Sequence, residues 1–206
     1  ESAEAEAVVH RLRTMEAANP ELSWGDMAVL YRTNAQSRSI EESLVRWGIP
    51  YIVVGGLRFY DRREIKDLLA YLRLLVNPAD TVSLLRVINV PKRGIGKTTI
   101  QRLTDAANQL GIPLWDVVSD AEAVRSLGGR SARGLLQFCE LLHDLRRQVQ
   151  EVAPSELIQQ VMEKSGYVSE LIAEGTDEAE ERRRNLQELV NAASQYQEET
   201  DDGDLE

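Results

Sequence analysis

One cysteine and two histidines in 206 residues exclude several kinds of chemistry at the outset. Cys139 has no partner in the chain, so a disulfide framework is ruled out, and reducing, cytoplasmic surroundings are expected. His10 and His143 stand far apart, so no metal site is expected. No run of 18 or more apolar residues exists and no signal peptide is visible, so no membrane-crossing helix is predicted. Serine, histidine and acid never fall together at a spacing that suggests a catalytic group. The pairs Glu41-Glu42 and Glu180-Glu181 are neighbours pointing to different sides of a helix, not acid/base partners. An initiating methionine is also missing. The chain starts inside a helical pattern and ends in an acidic run, which predicts a piece cut from something longer.

What is present is an ordinary globular composition, 43% hydrophobic and 28% charged, in a length that suits one domain or two small ones. The formal net charge is -10. Residues 198–206 hold six acids and no base, so the remainder carries only -4. From Arg58 to Arg102 ten basic residues stand against four acids, a local excess of +6. Such a block suits a phosphate backbone, and it equally suits a solvated helix surface.

The most informative stretch runs from Met27 to Asp67. A short apolar run, Met27 to Tyr31, reads as a strand. An amphipathic helix from about Ser37 to Trp47 stops at Gly48, and the β-branched run Tyr51 to Val54 reads as a second strand. Strand, helix, strand predicts an α/β unit, whose ligands meet the loops beyond the carboxyl ends of the strands. That places a ligand contact at Tyr31, Arg32, Asn34, Gln36 and Arg38. Arg38 has a second use, pairing with Glu41 or Glu42.

Elsewhere the pattern is helical: residues 3–18, a helix capped by Asp61 with Glu64 and buried through Ile65, Leu68, Leu69, Leu72 and Leu75, then about 81–88, 98–110, 113–118, 131–149, a helix opening at Pro154, and 178–197. A composition shift near Leu127 divides residues 1–126, α/β with a helical extension, from an all-helical 127–206.

Gly96-Lys97-Thr98 looks like the end of a nucleotide P-loop, but that motif needs glycine five residues before Gly96, where Pro91 stands. The turn Lys92-Arg93-Gly94-Ile95-Gly96 is better read as backbone amides leading into a helix N-terminus. It would steady one phosphate of a nucleic acid with Lys92, Arg93 and Lys97, or simply shape a helix junction. Phe59, Tyr60 and Tyr71 among Arg58, Arg62 and Arg63 form either a stacking platform for single strands or core packing.

The block YRTNAQSRSIEESLVRWGIPYIVVGGLRFYDRREIKDLLAYLRLLVNPAD, continued by VINVPKRGIGKTTIQRL, closely resembles the second motor domain of the UvrD/Rep/PcrA family of superfamily 1A DNA helicases. The helical remainder resembles the start of that family's inserted domain, 2B. The resemblance implies a partial RecA-like domain, of the P-loop NTPase type and with few parallel strands (2A), followed by a helical subdomain. It implies a parent enzyme that hydrolyses ATP with Mg2+ and moves 3′ to 5′ on DNA in repair or replication. Arg32 matches the arginine that reaches the γ-phosphate across the interdomain cleft, and Tyr31 the residue that stacks on adenine. Gly55, Gly56, Arg58, Phe59 and Arg62 match a block near the single-strand path. Lys164, Ser165 and Gly166, with Tyr167, match a turn that touches duplex DNA, and Lys92, Arg93, Gly94, Gly96 and Lys97 are a second such turn.

The family's Walker A loop and its acid pair for magnesium have no counterpart here. The expectation is therefore an inactive segment with no bound cofactor. Its partners would be the remaining helicase domains in cis, single-stranded and duplex DNA, and, through exposed strand edges, other copies of itself. The rival reading is a non-catalytic nucleic-acid-binding or protein-docking helical module.

Overall fold

A helix whose apolar residues recur around most of its circumference must sit at the centre of a protein, and one helix here meets that description. In the computed structural model, which describes residues 2–200, α3 (Arg63–Val76) buries Ile65, Leu68, Tyr71, Leu72, Leu74 and Leu75 together with Glu64 and Asp67. Around it pack α4 (Thr81–Val87), α8 (Ala132–Gln148), α9 (Pro154–Lys164) and α11 (Asp177–Glu199). The layer is completed by α5 (Lys97–Leu110), α6 (Leu114–Ser119), α7 (Ala121–Leu127) and α10 (Tyr167–Glu174). One continuous apolar core runs through all of these, from Phe59 to Val190. At roughly 1.5–3 kcal/mol for each fully buried leucine or isoleucine, α3 is the largest single contributor to it.

The N-terminal elements form a smaller cluster. Here α1 (Ser2–Ala18) lies on α2 (Ser37–Arg46), and Val9, Leu44 and Ile49 are buried with Leu12, Trp24, Ile40 and Tyr51 against them. Glu6 ties the two helices by accepting from the Trp47 indole at 3.0 Å, Arg46 at 3.0 Å and Ser43 at 3.2 Å.

The expected α/β unit with parallel strands is not found. Among the described residues there is no β-strand, and the secondary structure is entirely helical. Met27 to Tyr31 and Tyr51 to Val54 are indeed non-helical, but no amide from Ala28 to Tyr31 or from Tyr51 to Val54 finds a partner there. A β-branched run favours extended φ and ψ, whereas a strand also needs a neighbour to exchange N–H and C=O bonds. The two runs instead line one cleft of about 830 Å³. Leu30, Ile52 and Val54 are left 94%, 83% and 85% exposed. Among the described residues no strand presents the edge expected to carry self-association.

The boundaries of the helices read from the sequence are close to those observed, but α7 and α10 are additional to that reading, and one capping mechanism is corrected. Arg62, not Asp61, occupies the N-cap of α3, and Asp61 ends a preceding 3-10 turn and pairs with Lys66 at 2.7 Å. Among the described residues no helix is long and apolar enough to cross a membrane.

Close packing of α8 on the turn before α5 requires glycine at one point. A Cβ on Gly134 would lie 2.3 Å from the Arg93 carbonyl oxygen. Alanine in a helix interior ordinarily stabilises by about 1 kcal/mol relative to glycine. Here the clash is with backbone, so Gly134→Ala should destabilise by about 1–3 kcal/mol. Urea unfolding monitored by circular dichroism measures the sign; a stabilised variant would show that α8 and the turn are free to separate.

Candidate functional site

Two groups of polar residues stand out, at opposite ends of α3. The first is the turn between the extended run and α2. Its backbone is closed by the Gln36 side chain, which accepts from the amides of Arg32 at 3.0 Å and Thr33 at 3.1 Å. Tyr31 and Asn34 line the cleft, while the Arg32 side chain is exposed and makes no hydrogen bond or ion pair with the described residues. Asn34 is engaged, donating to Glu181 of α11.

Of the five residues predicted to meet a ligand here, the structure leaves Tyr31 and Arg32 without a side-chain partner among the described residues, engages Asn34 with Glu181 and Gln36 with the turn's own amides, and buries Arg38. Arg38 is only 4% exposed, with its Nε donating to Glu188 at 2.6 Å and its Nη1 to Glu42 at 2.6 Å. Burial pulls the Arg38 pKa down, but the hydrogen bond to Glu188 and the charges of Glu42 and Glu188 outweigh it, so the net shift is upward. That guanidinium is a fixed charge.

The loop that follows is held by a buried carboxylate. Glu41 accepts from the Tyr51 hydroxyl at 3.1 Å and from the Phe59 amide at 3.2 Å. This leaves Gly55, Gly56 and Arg58 exposed at the loop tip, with Gly55 at φ +77°. Phe59 and Arg62 are interior. Phe59 is edge-on to Tyr60, and Arg62 donates to Ser37 at 2.6 Å and Asn185 at 2.9 Å. Asn185 in turn donates to Glu64 at 2.7 Å. Phe59 and Tyr71 are buried and serve core packing, while Tyr60 is exposed and donates its hydroxyl to Glu42 at 2.8 Å, so the three do not form one stacking platform.

The second group joins the two predicted basic turns. Arg93 turns inward, its Nη2 donating to the Tyr71 hydroxyl at 2.7 Å and to the Ser165 carbonyl at 3.1 Å. Its Nη1 donates to the carbonyls of Pro91 at 3.0 Å and Val87 at 3.3 Å, and its guanidinium lies 5.3 Å from the Phe138 ring centre. Burial pushes the Tyr71 phenol up to about 12, with the Arg93 charge working against it. From the other side Asn89 accepts the amides of Arg93 at 2.8 Å and Ile95 at 3.1 Å, and Ser131 donates to the Gly94 carbonyl at 2.8 Å.

The Arg93–Ser165 contact brings the loop Lys92–Gly96 against Lys164–Gly166, two segments more than seventy residues apart. Gly166, at φ +84°, turns the chain between α9 and α10. Tyr167 then locks this turn onto α3 by donating to Asp67 at 2.9 Å, and Asp67 also pairs with Arg86 at 2.8 Å. Burial, and next the Asp67 charge, raise the Tyr167 pKa. Lys92, Gly94, Gly96, Lys97 and Lys164 remain exposed, whereas Ser165 is buried.

Sequence reasoning missed the polar face of α11. Glu181, Asn185 and Glu188 recur at spacings of four and three beside the apolar stripe Leu186, Leu189, Val190. That periodicity was the available signal, since a polar stripe bordering an apolar one often faces a buried partner. Among the described residues no group of three or more His, Cys, Asp or Glu is arranged to hold a metal ion. Tyr31 thus offers a ring and Arg32 a free guanidinium side by side, the chemistry that one edge of a nucleotide would need, and among the described residues no acidic group is arranged for a magnesium ion.

Because Arg93 is interior and Lys97 is not, their alanine variants should separate. Arg93→Ala should cost about 2–4 kcal/mol through lost charge-assisted bonds and orphaned carbonyls, while Lys97→Ala should stay within about 0.5 kcal/mol. Thermal unfolding measures both; equal midpoints would place the Arg93 side chain in solvent.

The model of the UvrD-like helicase C-terminal domain matches residues 1–205. ATP-dependent DNA helicase PcrA of Leuconostoc citreum is 41% identical over 175 residues, which is 85% of this chain and 23% of that protein. PcrA of Staphylococcus aureus is likewise 41% identical over 175 residues, 85% of this chain and 24% of its own length. PcrA of Staphylococcus epidermidis is 39% identical over 197 residues, 96% of this chain and 27% of the relative. The chain therefore spans about a quarter of the length of the curated relatives it matches. With its fold, its two basic turns and this match over nearly every residue, the chain belongs to the UvrD-like helicase C-terminal domain family.

Proposed function

We propose that this chain is the nucleotide-sensing and DNA-contacting segment of an ATP-dependent 3′ to 5′ DNA helicase acting in DNA repair or replication. By itself it is catalytically inactive. The observation that carries this reading is the disposition of three arginines near the cleft. Arg38 and Arg62 are buried and paired, whereas Arg32 is exposed, unpaired and adjacent to Tyr31. A free guanidinium suits bidentate contact with a phosphate and stabilisation of charge developing there, and Tyr31 offers a flat face to a base.

ATP with Mg2+, bound mainly by other domains of the full-length enzyme, would supply the free energy for movement. This chain's part is to present one cation and one ring to the nucleotide's edge. The DNA-facing role falls to the joined turns. Lys92 and Lys97 flank exposed backbone at Gly94, Gly96 and the N-terminus of α5, a geometry suited to phosphates and not to base reading. Lys164, on the adjoining turn, donates to Gln160 at 2.7 Å and adds a further exposed cation. Arg58 and the Gly55-Gly56 tip form a second exposed contact nearer the cleft. Arg93, Ser165, Phe59 and Arg62 shape these surfaces from behind.

The test uses the full-length enzyme containing this chain. Arg32→Ala should lower DNA-stimulated ATP hydrolysis by about 10³-fold or more, the range for a phosphate-directed arginine, with DNA affinity unchanged. A rate within threefold of wild type would overturn the assignment. The combined substitution of Lys92, Lys97 and Lys164 by alanine should weaken duplex binding and reduce the slope of log affinity against log salt by about 2–3, close to one per lost phosphate contact. An unchanged slope would remove the joined turns from the DNA interface.

A further inference from the structure

The turn that carries Arg32 is not fixed by its neighbours in sequence alone. Within the turn, Gln36 takes the amides of Arg32 and Thr33. Every outside link then comes from α11 or passes through a residue bonded to it. Asn34 donates to Glu181, and Arg38 donates to Glu188 at 2.6 Å. Arg62 bridges Ser37 at 2.6 Å and Asn185 at 2.9 Å. These contacts land at residues 34, 37 and 38, directly after Arg32. They come from three positions on one face of a helix roughly 150 residues further along the chain.

The adjoining face of α11 belongs to the helical core. Leu186, Leu189 and Val190 are buried there, and α11 packs on both α9 and α10, the helices that flank the Lys164–Gly166 turn. Gln197 also accepts the Ser155 amide at 3.2 Å, tying the end of α11 to the start of α9. One rigid helix therefore touches the Arg32 turn with its polar stripe and the frame of the joined basic turns with the apolar stripe beside it. A buried ion pair such as Arg38–Glu188 gives little net stability over an apolar pair, because desolvation offsets the attraction, but it enforces one geometry.

We infer that Glu181, Asn185 and Glu188 of α11 are positioning residues that set the Arg32 guanidinium at the cleft and couple its placement to the helices behind the basic turns. This rests on the reading of Arg32 given above and deepens it by naming what controls that residue. Arg38 acts as the receiving end of the coupling, held charged and buried, and is not itself a nucleotide contact.

A double-mutant cycle in the full-length enzyme separates positioning from mere support of the fold. Single-turnover ATP hydrolysis on DNA and the KM for ATP are measured for wild type, Glu188→Gln, Arg32→Ala and the double variant, with thermal midpoints alongside. Positioning through Arg32 predicts that Glu188→Gln lowers the hydrolysis rate about tenfold with KM changed less than about twofold. In the Arg32→Ala background the same substitution should have no further effect.

Equal rate losses in both backgrounds, tracking a lowered thermal midpoint, would overturn the inference and leave Arg32 as assigned. An Arg32→Ala enzyme at the wild-type rate would overturn both. Should Glu188→Gln fail to fold, Glu181→Ala, which removes only the half-exposed link to Asn34, carries the same cycle. Wild-type rates for both α11 variants overturn the inference.

Discussion

The buried polar layer between α2, α3 and α11 is the constraint on which the rest of the arrangement depends. Arg38, Glu188, Arg62, Asn185, Glu64 and Ser37 exchange hydrogen bonds out of contact with solvent, and among the described residues no buried side-chain nitrogen or oxygen is left without a partner. An apolar interface of the same size would allow the helices to slide. A layer of directional bonds does not, because a small displacement strands a buried charge at a cost of several kcal/mol. The N-terminal cluster, with little apolar core of its own, takes its position from this layer.

α3 carries the consequence along its length. Its N-terminal end contributes Arg62 and Glu64 to that layer. Its middle supplies Asp67, which receives Tyr167, and one turn later Tyr71, which receives Arg93. The exposed arginine at one end and the joined basic turns at the other are thus mounted on a single buried helix. That keeps the exposed Arg32 turn and the basic turns in register, since a packed helix transmits displacement with little loss. Phe59, Tyr71, Arg62 and Arg93, which read as a binding platform in sequence, are largely the mounting, with Lys92, Lys97 and Lys164 left exposed outside.

Where sequence and structure part, the cause is the same each time: the sequence shows a residue's chemistry but not its neighbour. Val53 and Val54 prefer extended backbone, yet without a laddering partner they remain extended chain. Arg38 and Arg93 have the chemistry of ligand contacts, but Glu188 and the Ser165 carbonyl, far off in sequence, draw them inside. Asp61 has the spacing of a helix cap, but Lys66 holds it and the helix begins two residues later. Arg32 and Tyr31 keep their side chains free of partners because nothing else in the described residues competes for them.

Local rules therefore determined the helices other than α7 and α10, their ends at Asn77-Pro78, Gly111 and Ser165-Gly166, the apolar stripes, and the family resemblance carried by the block from Tyr31 to Asp80. Apolar periodicity and the intrinsic conformational limits of proline and glycine are properties of adjacent residues, so a single sequence suffices to read them. Only the tertiary structure decided which arginines face out, that two basic turns seventy residues apart form one surface, and that α11 grips the turn ahead of α2. Those depend on contacts between elements remote in the chain. Burial, which turns a charged side chain from a ligand contact into a structural pin, exists only once those elements meet.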